Sequence, residues 1–114
     1  MKIYEFTIPS GQQASNVVPV KILGQDTRLI DINIPAGAPA GDLTVLTGLF
    51  GEARVPVLAT ADTEGDPFTV ALGATGGSPT ADVLAPLANQ VDKDWQLNFS
   101  VAVPADLVIT VRIL

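Results

Sequence analysis

Apolar and polar residues alternate along most of this chain with a period of two, the pattern of strands that bury one face and expose the other. At 2–8 the alternation sets Tyr4, Phe6 and Ile8 on one side and Ile3, Glu5 and Thr7 on the other. A second stretch at 17–23 groups Val18, Val20 and Ile22, with Pro19 opposite them as the mark of an edge or an entry bulge. Between 28 and 34, Ile30, Ile32 and Ile34 are expected inward and Asp31 and Asn33 outward. Further strands are predicted at 42–47, 53–60 and 68–73, the last with Phe68, Val70 and Leu72 on one face. Residues 95–114 read as one long hairpin. Trp95, Leu97, Phe99, Val101 and Val103 share a face, a Pro-Ala-Asp turn follows, and Leu107, Ile109, Val111 and Ile113 return.

Three of these alternations run into proline, a small residue, and glycine or aspartate: FTIPSG at 6–11, INIPAG at 32–37 and VAVPAD at 101–106. Proline has no N–H to continue a ladder and suits the second position of a type I turn, with glycine fourth in the first two copies. SGQQASN at 10–16 is predicted as a polar loop, and PAGAPAG at 35–41 as a crossing from one sheet to another. From 73 to 94 no clean period holds. Ser78-Pro79 resembles a helix start, and Pro86 stops any helix within about two turns. Eight candidate strands in 114 residues predict an all-β, single-domain antiparallel sandwich spanning 1–114, with at most one short helix. A jelly roll is one winding that uses this number of strands.

Composition narrows the chemistry. Cysteine and histidine are both absent, which removes disulfides, thiolate metal sites and the commonest general base and transition-metal ligand. Twelve acidic residues against six basic ones give a net charge of −6, and the cations are scattered at Lys2, Lys21, Arg28, Arg54, Lys93 and Arg112. A phosphate backbone or an anionic membrane surface needs a clustered basic face, so neither nucleic acid nor membrane is an expected partner. No apolar run approaches the roughly 18 residues of a spanning helix, and MKIYEFTIPSG lacks the apolar core of an export signal. A soluble protein without an export signal is expected.

Several groups carry residue types that could form a site. Asp62, Glu64 and Asp66 offer hard oxygen ligands for calcium, but the twelve-residue loop of an EF-hand is missing; a solvated acidic turn is the simpler expectation, and Asp92 with Asp94 is a weaker case. The three glutamates, Glu5, Glu52 and Glu64, carry no sign of a catalytic dyad. GGSPT at 76–80 lacks the second glycine of a nucleophile elbow, and no histidine exists to activate Ser78. Asn98-Phe99-Ser100 matches a glycosylation sequon but reads as a strand, with Asn98 and Ser100 outward. Trp95 is expected as a core anchor. No catalytic residue, metal or cofactor is therefore assigned.

The residues that stand apart are Leu49 and Phe50, two large apolar side chains held between Gly48 and Gly51 in a turn-like context. The outward face of the last strand, Val108, Thr110, Arg112 and Leu114, is more apolar than solvent requires. Leu49, Phe50, Val108, Arg112 and Leu114 are the expected partner interface, with the first strand and the PAGAPAG loop as further surfaces.

In texture the chain resembles small bacteriophage virion proteins of the capsid decoration or cement type. The features that carry the likeness are a small chain starting at Met1, rich in Ala, Val, Thr, Gly and Pro, poor in Lys, free of Cys and His, and built from strands joined by IPAG-like turns. The resemblance implies a β-rich clasp, often trimeric, that reinforces a capsid lattice. It would be a non-enzymatic homo-oligomer located in the virion, assembled in the host cytoplasm, with the major capsid protein or another virion protein as partner. Two other classes stand beside it: a carbohydrate- or receptor-binding sandwich such as a tail or fibre component, and a small enzyme using carboxylates alone.

Overall fold

The computed structural model describes residues 2–20, 29–36, 38–57, 69–72, 87 and 93–113. Its strands are β1 (Lys2–Ile8), β2 (Val18–Val20), β3 (Leu29–Asn33), β4 (Gly41–Gly48), β5 (Val55–Pro56), β6 (Thr69–Leu72), β7 (Lys93–Phe99) and β8 (Leu107–Ile113). They form two antiparallel sheets, one ordered β1-β8-β3 and the other β2-β7-β4-β5, with β6 also paired to β4. No α-helix occurs among the described residues. The short helix considered near Ser78 lies outside them, as do the acidic turn at 61–67 and Leu114.

Inward side chains from both sheets join one core. Phe6, Ile8, Ile32, Ile109 and Val111 come from the three-stranded sheet, and Val20, Leu43, Val45, Trp95, Leu97 and Phe99 from the other. All are fully shielded from water, and each large side chain contributes about 1.5–3 kcal/mol relative to exposure. Leu87 and Val57 also belong to this core. Alternation assigned these faces correctly in β1, β7 and β8, because a period of two is a property of the strand itself.

The expected C-terminal hairpin is corrected. β7 pairs with β2 and β4, whereas β8 pairs with β1 and β3, so the chain crosses between sheets at 100–106. It leaves the ladder after Phe99: Ser100 N–H donates to the Asp42 carbonyl (2.9 Å), Ser100 Oγ accepts the Asp42 N–H (2.9 Å), and Val101 turns outward. Val103 re-enters the core. The ordered C-terminal strand is explained by β8 lying at the centre of its sheet, paired on both sides.

Two local expectations also change. Residues 13–16 are not a free loop, since they run along β7. Phe99 N–H donates to Gln13 O (2.8 Å), Ala14 bridges Asn98, and Ser15 N–H donates to Leu97 O (2.8 Å). In the first proline turn, Gln12 N–H donates to Pro9 O (3.0 Å) and Gly11 has φ 79°. Proline is thus first rather than second, and glycine takes the third place of a type II turn, where positive φ favours it. PAGAPAG does lie between sheets, linking β3 of one to β4 of the other.

Candidate functional site

β4 carries a candidate surface at each end. At its C-terminal end Leu49 C=O accepts the Glu52 N–H (2.8 Å), closing a turn in which Gly51 sits third with φ 80°. That is a type II arrangement, and it puts Phe50 at the corner. Two further features hold the turn. Gly51 N–H donates to Asp94 Oδ2 on β7 (3.0 Å), and a Cβ on Gly48 would collide with the Ala53 carbonyl and the Arg54 backbone. Leu49 and Phe50 are therefore displayed by a fixed backbone, with 65% and 44% of their surface exposed.

Val55 was not singled out from the sequence. It pairs with buried Thr47 on the inward face of the sheet, yet it is 62% exposed. Its alternation with buried Val57 marks it as a core residue; only the structure shows that the core stops before reaching it. Leu49 and Phe50 on the β4–β5 connection and Val55 at the start of β5 are thus exposed apolar side chains at the same end of β4.

At the opposite end of β4 the proline turns gather on one rim. β1 and β3 both flank β8, so Pro9 and Pro35, where those strands end, lie close to Pro104, where β8 is approached. Ser10 N–H donates to Asp106 Oδ1 (2.8 Å), Ser10 Oγ–H to Pro104 O (3.1 Å) and Gly11 N–H to Val103 O (2.8 Å). Beside these bonds lies a groove of about 360 Å³ walled by Pro35, Ala36, Pro39, Pro104, Ala105 and Val108. Its size is at the lower end of the range for ligand pockets.

The expected interface residues are thus dispersed. Leu49 and Phe50 form the tip at one end of β4, Val108 lines the groove at the opposite rim, and Leu114 lies outside the described residues. Arg112 is engaged within the chain. Its Nε donates to Asp31 Oδ1 (2.6 Å) and its Nη2 to Asp31 Oδ2, a bidentate pair across β8 and β3. Asp31 does occupy the outward face, but it is buried rather than solvated. The Arg112 hydrogen bonds hold its carboxyl below the ordinary value of 3.8 against the opposing effect of burial, and Asp31 in turn raises Arg112.

On β1, Thr7 N–H donates to Asn16 Oδ1 (2.8 Å) and Thr7 O accepts the Asn16 N–H (3.4 Å), which closes that strand's outer edge at one point. Tyr4, Phe6, Trp95 and Phe99 are buried, leaving Phe50 as the exposed aromatic among the described residues. No group of three or more acidic side chains converges among the described residues. No helix among them is long and apolar enough to cross a membrane. Comparison with protein-family models, curated proteins and solved structures returns no match.

Proposed function

We propose that this chain is a non-enzymatic structural protein of a virion, a capsid decoration or cement protein that braces an assembled shell as a homo-oligomer, most simply a trimer. The observation that carries the reading is the Leu49–Phe50 turn. Two large apolar side chains face water on a backbone fixed by the Glu52–Leu49 and Gly51–Asp94 hydrogen bonds. Ordering an anchor before contact lowers the entropy cost of binding, which is how interfaces concentrate affinity in a few residues.

The fold proposed with it is an eight-stranded β-sandwich of jelly-roll type. Its support is the nested pairing of β1 with β8, β2 with β7 and β4 with β5. β6 departs from full nesting by pairing with β4 rather than β3. Jelly rolls serve capsid and lectin domains alike, so the winding does not choose between a shell partner and a sugar. The burial of Trp95 and the other core aromatics favours the shell, because a sugar platform needs such rings at the surface.

The test is cosedimentation with shells assembled from the major capsid protein encoded in the same genome. Wild-type protein should pellet saturably, and the Leu49→Ser/Phe50→Ser variant should bind at least tenfold more weakly while remaining folded. Wild-type protein that stays in the supernatant at saturating shell concentration would overturn the proposal.

A further inference from the structure

The apolar tip at one end of β4 and the proline-lined groove at the other are complementary, and they cannot meet within one molecule. We propose that the Leu49–Phe50 turn of one copy seats in the groove of a second copy, giving a head-to-tail contact that repeats from molecule to molecule. This rests on the turn being a binding anchor, as above, but needs no shell.

Chemistry and placement support the pairing. The groove walls are mainly proline and alanine, which lose no side-chain rotamer freedom when covered, and its floor is the buried pair Val103 and Leu107. Ala38 and Pro39 lead into β4 and Leu49 and Phe50 leave it, so one strand fixes the spacing between groove and anchor.

Charge gives the contact its polarity. All the described cations, Lys2, Arg54, Lys93 and Arg112, lie at strand ends away from the proline rim. Among the described residues Asp31, Glu52 and Asp94 accompany them, and Asp31 neutralises Arg112. The rim carries Asp106 and Asp42, the latter joined to Ser100 through its backbone, and no cation among the described residues. Anchor end against rim brings Arg54 and Lys93, together with Glu52 and Asp94, to the rim's carboxylates, whereas rim against rim opposes carboxylates alone.

The contact area sets its strength. Three side chains cover on the order of a few hundred Å², below the roughly 800 Å² per partner of a stable pair. A lone contact is therefore weak, and it persists where copies are held side by side. Being heterologous, it closes into a ring if the rotation permits and otherwise extends as an open chain.

Sedimentation velocity over a concentration series tests this with two variants, each checked for folding by thermal melting. Leu49→Ser/Phe50→Ser removes the anchor, and Ala36→Glu/Val108→Glu places charge in the groove; Ala36→Glu alone replaces the latter pair if it does not fold. Wild-type protein should associate with rising concentration, and each variant alone should do so at least tenfold more weakly. An equimolar mixture of the two should form dimers and nothing larger, since it contains one intact groove and one intact anchor. A monomeric wild type at all concentrations, a variant that associates like wild type, or a mixture that stays monomeric would overturn the contact. Loss of shell binding by the anchor variant without wild-type self-association would also overturn it, assigning the anchor to another protein. Self-association as described with no shell binding would sustain this contact while removing the decoration role.

Discussion

Gly51→Ala isolates the conformation that presents Phe50. The glycine has φ 80°, and a Cβ there would meet no other atom within 4 Å, so the change introduces no tertiary clash. Its cost is confined to the residue's own backbone, about 1–2 kcal/mol for an L-residue in the left-handed region. Alanine also restricts the unfolded chain, which offsets about 0.4–1 kcal/mol. A net loss of about 1 kcal/mol corresponds to a fall in Tm of about 4–6 °C at this chain length. Gly51→Asn should lose about half as much, because asparagine enters the left-handed region more readily. Urea titration and thermal melting of both variants measure the difference. Equal stability of Gly51→Ala and wild type, or Gly51→Asn no better than Gly51→Ala, would refute a positive-φ turn held as described.

Other consequences follow from particular contacts. Ser15→Ala removes the hydroxyl that accepts the Leu97 N–H (2.9 Å) and donates to Asn16 O (2.8 Å), and should cost about 1–3 kcal/mol in chemical denaturation. Trp95→Ala empties the largest fully buried side chain of the core and should cost about 3–5 kcal/mol by the same assay. Leu49→Ser/Phe50→Ser should change stability by no more than about 0.5 kcal/mol, since both side chains already face water. Asp31 has its folded-state pKa below 3.8, so the stability it adds is complete above that value and is lost as pH falls through the depressed one. Arg112, shifted upward, stays charged throughout. Asp31→Asn should therefore flatten the dependence of stability on pH below about 4, measured by urea midpoints.

Much of the strand plan was legible because alternation is local. Phe6 and Ile8, Trp95 to Phe99 and Leu107 to Ile113 took the faces their spacing predicts. Pairing is not local, and there the sequence misled. An arch between sheets and a hairpin within one sheet both return an inward-facing strand to the core, so 95–113 looks the same in either case; only the ladders of β7 with β4 and of β8 with β1 distinguish them. Asp31 looked like a solvated outward residue because nothing in the sequence places Arg112, 81 positions later, opposite it. Ser15 belongs to a segment that resembles a polar loop, yet its hydroxyl substitutes for a backbone partner along β7.

The interface residues illustrate the same boundary. Leu49 and Phe50 stood out because glycines flank them, a signal read within five residues. The groove was hidden, since its walls come from two turns that meet only because β3 lies beside β8. The three proline turns were recognisable one by one as strand ends, but not as neighbours on one rim.

Hydroxyl-radical footprinting of the wild-type protein across a concentration series tests the central claim most directly, because it locates the buried surface. Phe50 and the groove residues Pro104 and Val108 should lose reactivity together as concentration rises, while exposed Ile3 keeps its own. Undiminished labelling of Phe50, or protection centred on Ile3 instead, would contradict the account.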